Sequence, residues 1–389
     1  DCLLSRGLGD VYKRQFLYGP LNGGGAERVL LDILRNFDYT QNEIHLCQFC
    51  GGGTLVDEVP AEVVKHEMWL GYTLGYKLAY RASLKFGWHE LLRHQFHKTM
   101  DASGDFDVVI SFLEGMPLRI HYLLDIKKGR QVTWVHCDLL RFQYTDNQFR
   151  AGEQLAAYNA MDTVVCVAQD TERAFRERFP MCTAQTKVIY NPIDIAKVEC
   201  MGAEEIINND RFTIVMTGRL TPPKQVQRFV LIAKRFKDIG RNDVLFQWIG
   251  DGELRSEMEQ QIHNLGVEDM VQIIGFKRNP FPYVKSADMM FCCSGYEGFC
   301  LAICEAMVLG IPVVSTKTSG PIEIIDNNKY GILCDHDEDS MFDAVFKMVN
   351  DAELRKHYAV VGRERVQKYA AEECMKQIYQ FCLLYTSPS

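Results

Sequence analysis

The chain contains 389 residues, more than one ordinary hydrophobic core accommodates, so two domains are expected. Hydrophobic residues make up 47% of the chain and charged residues 24%, a balance typical of a globular protein. The formal net charge of −8 excludes the overall basic surface of a nucleic-acid-binding protein, so no nucleic acid is expected among the partners.

Most of the fourteen cysteines lie in apolar runs such as TVVCV, MMFCC and LAIC, which indicates buried, reduced thiols in a cytoplasmic protein. Cys47 and Cys50 form a C-x-x-C pair, but no second pair of ligands follows at zinc spacing, so we interpret them as small residues at a strand end. No apolar run approaches the roughly 18 residues of a membrane span, and residues 1–15 lack a signal-peptide core.

Both ends of the chain differ in character from the rest. The opening DCLLSRGLGDVYKRQ and the closing LLYTSPS resemble translated adapter sequence, so residues 1–15 and 383–389 are interpreted as non-native. On this interpretation the first strand is truncated and survives only as part of FLYGP.

Short apolar runs rich in β-branched and aromatic residues alternate with helical stretches along most of the chain. Runs of this kind are typical of strands buried on both faces of a parallel sheet, so the predicted class is α/β with βαβ units. The predicted strands are 43–49, 107–112, 131–136, 163–168 and 187–190, then 212–218, 244–250, 271–275, 289–293, 312–316 and 331–334.

The tetrapeptide NPID at 191–194 separates the two series of strands and marks the predicted domain boundary. The prediction is a Rossmann-like domain over 1–192, a second over 193–368, and a C-terminal helix at 369–389 that returns to the first domain. Loops at the carboxyl ends of the two sheets would then face one another across an interdomain cleft.

Three motifs follow predicted strands. Gly23, Gly24 and Gly25 precede a helix and either let the backbone approach an anion or simply form a tight turn. Arg219 and Lys224 lie five residues apart on a strand-end loop, where they could neutralise a diphosphate or remain solvated cations.

The third motif, GYEGFCLAICEA at 295–306, is the most informative. Glu297 is predicted to lie in the loop before a helix and Glu305 within that helix. Eight helical residues rise about 12 Å and complete about two turns, so both carboxylates could face one side. The first amides of the helix between them could hold phosphate oxygens. The alternative is an ordinary helix-start carboxylate with a partly exposed second glutamate.

His136 ends the strand QVTWVH and is predicted to face the ligand edge, although a lone histidine is more often structural. Asp138 is a weaker candidate beside it. The Asp-x-Asp patterns at 335–337 and 337–339 could suggest a metal site, but they precede a helix and are interpreted as caps.

Taken together, these motifs resemble the retaining glycosyltransferases of family 4, which have the GT-B fold. Glu297 and Glu305 match the E-x7-E signature, TGRL with Lys224 resembles the diphosphate-binding Arg/Lys pair, and IGDGELR, IIGF and GIPVVSTKTSGPIEII match in order and spacing over residues 16–380. One departure is Gln225, which stands where glycine is usual.

The resemblance implies a role for each candidate. Arg219 and Lys224 would bind the diphosphate, Glu305 the ribose, and Phe276 would lie at the base. Glu297 and His136 would act at the donor sugar as the catalytic pair. The remaining donor-binding residues implied by the resemblance are Gly298, Phe299, Cys300 and Leu301, with Gly23, Gly24 and Gly25 closing on the donor from the other domain.

The expected function is therefore sugar transfer from a nucleotide donor, with UDP as the favoured nucleotide, to a saccharide or lipid-linked acceptor in cell-surface polysaccharide synthesis. No cofactor and no metal ion are expected, because cations and helix amides would stabilise the leaving group. A nucleotide-sugar epimerase of the same fold and a non-catalytic binder remain alternatives. Residues 65–98, with seven aromatic and six basic residues, predict either peripheral membrane contact or an ordinary helix pair.

Overall fold

A computed structural model of the protein describes residues 11–100 and 105–383. The chain forms two compact units. The N-terminal unit comprises residues up to Pro192 together with the segment from Glu372 onward, and the C-terminal unit comprises Ile193–Ala371. Each unit contains one parallel sheet with helices between successive strands, which confirms the predicted α/β class and its two Rossmann-like domains.

The sheet of the N-terminal unit has seven parallel strands in the order β3-β2-β1-β4-β5-β6-β7. The order reverses between β1 and β4, and crevices for ligands form beyond the carboxyl ends of strands at such a point. The strands are β1 (Tyr12–Tyr18), β2 (Asn42–Gln48), β3 (Val64–Glu67), β4 (Val108–Ser111), β5 (Arg130–Val135), β6 (Thr163–Cys166) and β7 (Gln185–Val188).

Seven helices accompany this sheet in the described part of the unit. The last of them begins at the end of the C-terminal unit and then packs on the N-terminal core, where Tyr379 meets Phe37 edge to face at 5.6 Å. The helices are α1 (Gly25–Arg35), α2 (Leu74–Phe86), α3 (Glu90–Met100), α4 (Met116–Leu124), α5 (Glu153–Asn159), α6 (Gln169–Arg178) and α15 (Ala371–Leu383).

The first strand begins at Tyr12, four residues before the predicted FLYGP, so the prediction that it survives only as part of FLYGP is wrong. Strand β1 runs for seven residues and pairs with both β2 and β4. It carries Arg14 into the interior at 1% exposure, with the guanidinium over the rings of Tyr12 and Phe37. The atoms Nε and Nη1 of Arg14 have no hydrogen-bond partner among the described residues. The predicted foreign segments at 1–10 and 384–389 lie outside the described residues.

Strand β3 escaped prediction because it lies at the edge of the sheet. Three of its four residues are exposed, so it lacks the apolar run that identifies the buried strands. Its pairing with β2 is parallel, like that of the other strands in the unit.

The sheet of the C-terminal unit has six parallel strands in the order β10-β9-β8-β11-β12-β13, with its reversal between β8 and β11. The strands are β8 (Phe212–Thr217), β9 (Val244–Ile249), β10 (Val271–Gly275), β11 (Met289–Cys292), β12 (Val313–Thr316) and β13 (Ile332–Cys334). The helices are α7 (Ile195–Gly202), α8 (Val226–Asp238), α9 (Arg255–Leu265), α10 (Phe281–Lys285), α11 (Leu301–Val308), α12 (Ser319–Ile325), α13 (Glu338–Asn350) and α14 (Ala352–Val366).

Candidate active site

The reversal of strand order in the C-terminal unit brings two functional loops together. Strands β8 and β11 are direct neighbours, so the loops that follow them leave the same edge of the sheet. The loops are joined by a main-chain hydrogen bond in which the Gly295 N–H donates to the Pro223 carbonyl at 2.8 Å. The cationic motif and the first carboxylate of GYEGFCLAICEA are thereby adjacent.

Lys224 and Glu297 form an ion pair between these two loops. The Lys224 ammonium lies 2.5 Å from Glu297 Oε1, and the two side chains are only 20% and 13% exposed. The Ser294 hydroxyl donates to the same oxygen at 2.7 Å. Burial lowers the pKa of Lys224, but the Glu297 carboxylate together with Cys300 and Cys292 raises it by more, so the pKa is raised overall and the ammonium stays charged.

Arg219 lies on the same loop as Lys224 but is exposed, and its guanidinium forms no hydrogen bond or ion pair among the described residues. The backbone beneath it is tightly fixed. A Cβ at Gly250 would lie 2.0 Å from the carbonyl oxygen of Gly218, and the Trp248 indole N–H donates to that same oxygen at 2.9 Å. The loop is therefore rigid while the planar cation at its tip is available to a ligand.

Helix α11 begins later than the sequence predicted. Cys300 caps it in the left-handed region, with φ of +74°, so residues 297–300 form a loop and the helix starts at Leu301. The prediction that Glu297 lies in the loop before the helix and Glu305 within it is confirmed, whereas the expected rise of eight helical residues between them is wrong, because the left-handed Cys300 precedes the first helical residue. Glu305 lies in the second turn of α11 and is half-buried.

The loop before α11 is held against the start of α12. The Gly320 N–H donates to the Glu297 carbonyl at 3.3 Å, and a Cβ at Gly320 would lie 2.1 Å from the carbonyl oxygen of Phe299. Gly298 and Phe299 are buried, whereas Leu301 is half-buried at the first turn of the helix. Ser294 and Gly320 are thus supporting residues that the sequence reasoning missed.

Two thiols lie within the same loop system. The sulfur of Cys292, at the end of β11, is 3.8 Å from the sulfur of Cys300. The hydrogen bond from Cys300 lowers the pKa of Cys292, and conversely raises that of Cys300. Both residues are buried, at 0% and 6% exposure.

Phe276 follows β10 at the carboxyl edge of the same sheet. Gly275 before it has φ of +80°, and the Phe276 side chain is 67% exposed. An exposed ring at a strand end is a suitable surface for stacking a planar base.

The glycine motif of the N-terminal unit follows β1 and opens α1. Gly23 has φ of +89°, a conformation that favours glycine, and Gly24 caps the eleven-residue helix that begins at Gly25. Gly24 is buried and Gly25 is exposed. The loop packs closely on its neighbour, since a Cβ at Gly53 would lie 2.4 Å from the backbone of Leu21.

His136 follows β5 and is held by a carboxylate that the sequence reasoning missed. Its main-chain N–H donates to Glu114 Oε2 at 2.8 Å, and the Tyr144 hydroxyl donates to Glu114 Oε1 at 2.8 Å. Glu114 is 2% exposed, and burial raises its pKa. The signal that could have identified it is a carboxylate directly after the buried strand β4.

The His136 ring is neutral near pH 7. Burial lowers its pKa to about 3, although a hydrogen bond to the Phe112 carbonyl opposes this in part. Nε2 has no partner among the described residues, so Nδ1 carries the proton that the carbonyl accepts. Nε2 is consequently a lone-pair acceptor, suited to a hydroxyl group.

The other acidic candidates accept main-chain hydrogen bonds or form an ion pair. Asp337 accepts the Ser340 N–H at the start of α13, which confirms the predicted cap. Asp138 is buried and accepts the N–H groups of Leu140 and Arg141 at 3.1 and 3.0 Å. Asp335 pairs with Lys317.

Comparison with known proteins shows that both halves of the chain match glycosyltransferase family models. The family model described as "Glycosyltransferase Family 4" matches residues 23–197, and the one described as "Glycosyl transferases group 1" matches residues 201–365. The described helices include none with the length and hydrophobicity needed to cross a membrane.

Three individual proteins illustrate the similarity. An uncharacterized glycosyltransferase of Methanocaldococcus jannaschii is 26% identical over 57% of this chain, which spans 63% of that relative, less than two thirds of its length. A Campylobacter jejuni GalNAc-alpha-(1->4)-GalNAc-alpha-(1->3)-diNAcBac-PP-undecaprenol alpha-1,4-N-acetyl-D-galactosaminyltransferase is 25% identical, with 92% of this chain and 95% of the relative covered. The crystal structure of Anabaena HepE in complex with UDP matches with a TM-score of 0.72 and 20% identity, covering 95% of this chain and 99% of that one.

Proposed function

Because the chain belongs to glycosyltransferase family 4, with a group 1 glycosyltransferase domain in its C-terminal half, we propose that it is a retaining transferase that uses a UDP-sugar. The acceptor is a saccharide or lipid-linked saccharide of a cell-surface polysaccharide. The observation that carries this proposal is the Lys224–Glu297 pair beside the available guanidinium of Arg219.

Cleavage of a sugar–diphosphate bond places negative charge on the leaving group. In the proposed complex Arg219 holds a diphosphate through its planar fork, while Lys224 contributes a fixed positive charge. The backbone of Gly298, Phe299, Cys300 and Leu301 supplies amides at the start of α11, where the helix dipole favours an anion. These groups stabilise the leaving diphosphate without a metal ion or cofactor.

The remaining roles are proposed on the basis of the sequence resemblance. Glu305 binds the ribose hydroxyls, and Phe276 stacks beside the base. Glu297, held through Oε1 by Lys224 and Ser294, accepts hydrogen bonds from the donor sugar. Gly23, Gly24 and Gly25 form the donor-facing turn of the N-terminal unit.

His136 acts on the donor sugar as a neutral acceptor through Nε2. A neutral ring there leaves no fixed positive charge to oppose the cationic character that develops at the anomeric carbon. No carboxylate stands out as a nucleophile, so front-face attack, with the leaving phosphate accepting the acceptor proton, is the step we propose for retention.

A panel of UDP- and GDP-sugars, followed for slow release of nucleoside diphosphate with and without EDTA, tests the proposal. We expect release from one UDP-sugar and no effect of the chelator. Glu305→Gln should weaken UDP binding with the fold unchanged, whereas Glu257→Gln on the exposed surface of α9 should not. Loss of activity on chelation would overturn metal independence, and interconversion of the sugar without transfer would favour an epimerase.

A lipid-linked acceptor is supported by one face of α2. One side of this helix is buried and carries Tyr76, Ala79 and Ser83. The opposite side is exposed and combines two leucines with three cations at helical spacing, a pattern typical of helices that lie on anionic membrane surfaces. Its members are Leu74, Lys77, Leu78, Arg81 and Lys85.

The segment around this helix is unusually apolar at its surface. Seven of the fifteen exposed large hydrophobic residues among those described fall between positions 70 and 91, including Leu70, Phe86, Trp88 and Leu91. We propose that this surface contacts the membrane that carries the acceptor. The predicted alternative, an ordinary helix pair with its aromatics in the core, accounts for Tyr76 but leaves these residues unexplained.

Sedimentation with vesicles containing anionic phospholipid tests the contact. We expect Leu74→Ser/Leu78→Ser to reduce the bound fraction several-fold, because the apolar contribution to binding is lost. Val360→Ser removes a similarly exposed apolar side chain from α14 and is the matched control. Equal binding of both variants would exclude α2 as the contact.

A further inference from the structure

Cys292, Glu297 and Cys300 bring three potential metal ligands together. Their two sulfurs and a carboxylate oxygen all lie within 4.8 Å of one another, and this is the one such group of three among the described residues. The ligands lie within nine consecutive residues, at the end of β11, in the following loop and at the cap of α11, and the turn of this loop brings them together.

The spacing of the sulfurs suits a tetrahedral ion. Zinc–thiolate bonds of about 2.3 Å at a tetrahedral angle separate two sulfurs by about 3.8 Å. The sulfurs of Cys292 and Cys300 are 3.8 Å apart. Both hydrogen bonds to Glu297 are made to Oε1, so ligation through its other oxygen, Oε2, requires neither bond to break.

The charges also balance at this position. Two thiolates and one carboxylate around a divalent cation carry a net charge of −1, which the adjacent ammonium of Lys224 neutralises. This matters because the surroundings are buried, and an uncompensated charge there is costly. Soft thiolate ligands select Zn²⁺ or Co²⁺ over Mg²⁺ or Ca²⁺.

We propose that Cys292, Cys300 and Glu297 form a site for a thiophilic divalent cation such as Zn²⁺. Binding replaces the two thiol protons with two metal–sulfur bonds and releases both protons to solvent. Three protein ligands leave one tetrahedral position for water or another oxygen ligand.

The site is inhibitory, a consequence that rests on the proposed function. The ion ties the cap of α11 to β11 and engages Glu297, so the loop is no longer available to the donor sugar. The ion itself takes no part in catalysis, in which Arg219 and Lys224 supply the positive charge. Chelation should accordingly have no effect on metal-free enzyme and should restore activity to zinc-treated enzyme.

Titration of the reduced, metal-free protein with Co²⁺ tests the site directly. We expect thiolate-to-cobalt charge-transfer absorption with tetrahedral ligand-field bands, and competition by Zn²⁺. Cys292→Ser should weaken cobalt binding by at least about tenfold. Cys300→Gly, which suits the left-handed backbone, should do the same without straining the fold.

Cys47→Ser/Cys50→Ser is the matched control, since it removes two other neighbouring buried thiols. It should retain the charge-transfer bands. Bands that persist in Cys292→Ser, or that vanish only in the control, would overturn the proposal. The cobalt result needs no donor, so it decides the site even if the transferase assignment fails, and zinc inhibition of donor hydrolysis then tests the consequence separately.

Discussion

Lys224 and Glu297 lie 73 positions apart in the sequence, and their charged atoms meet at 2.5 Å because β8 and β11 are neighbours in the sheet. Each restrains the other: the carboxylate fixes the ammonium in position, and the ammonium makes a buried carboxylate tolerable. Without its partner, either residue would leave an unpaired charge at a mostly buried position, which is costly in free energy.

Replacement of Lys224 should affect chemistry as well as folding, because it leaves the Glu297 carboxylate unpaired. We expect Lys224→Met to lower kcat for donor hydrolysis about 100-fold, the usual loss when one preorganised group facing a developing negative charge is removed. Steady-state kinetics with the preferred UDP-sugar measure this. Lys234→Met, at a half-buried position on α8 paired with Asp238, is the control and should retain kcat. An unchanged kcat in Lys224→Met would remove the residue from the leaving-group site.

The cap of α11 gives a test of backbone strain. Cys300 has φ of +74°, where residues with a Cβ are disfavoured. Cys300→Gly should be more stable than Cys300→Ala by about 1 kcal/mol, because the two variants differ only in that Cβ. Chemical denaturation of both variants supplies the comparison.

Cys304, buried in the middle of α11, is the matched control for this comparison. There the order should reverse, with alanine favoured over glycine by about 1 kcal/mol. If alanine were favoured over glycine at position 300 as well as at position 304, the left-handed backbone at the cap would carry no cost.

Much of the fold could be predicted because the buried strands are apolar on both faces. The stretch FTIVMT is almost wholly buried and reads directly as a strand, whereas Val64–Glu67 is an exposed edge and does not. At the site, Arg219 and Glu297 could be placed on strand-end loops from sequence. The pairing of Glu114 with His136 could not, because it depends on β4 and β5 being neighbours in the sheet.

The burial of Arg14 on strand β1 leads to a prediction about the free energy of unfolding. Arg14 is 1% exposed, and two of its nitrogen atoms have no partner among the described residues. We expect Arg14→Leu to raise the free energy of unfolding by about 1–3 kcal/mol, since it removes a buried charge and its unmade hydrogen bonds. Thermal and urea unfolding measure the change.

The control for Arg14 is Arg173→Leu on α6, where the side chain is 74% exposed and pairs only at the surface with Asp170. That change should stay within about 0.5 kcal/mol. If Arg14→Leu were destabilising, the contacts of the guanidinium with the rings of Tyr12 and Phe37 would outweigh the cost of burying its charge.

The dependence of stability on pH should be governed in part by His121. This residue is buried, with Nε2 2.7 Å from Gln131 Oε1 and Nδ1 3.1 Å from Ser111 Oγ. The Gln131 amide donates to two main-chain carbonyls, so its Oε1 accepts from His121, and Nε2 carries the proton. The ring is therefore neutral in the folded protein.

Burial lowers the pKa of His121 from 6.5 to about 4 in the folded state. Below pH 6.5 the unfolded chain binds a proton that the folded chain does not, so stability falls as the pH drops toward 4. We expect His121 to account for a loss of about 1.5 kcal/mol between pH 6.5 and pH 5, measured by urea unfolding at each pH. In His121→Gln this share of the slope should disappear, whereas in His263→Gln, where the side chain is 82% exposed, the slope should persist. A slope unchanged by His121→Gln would mean that the buried ring already takes up its proton in the folded protein.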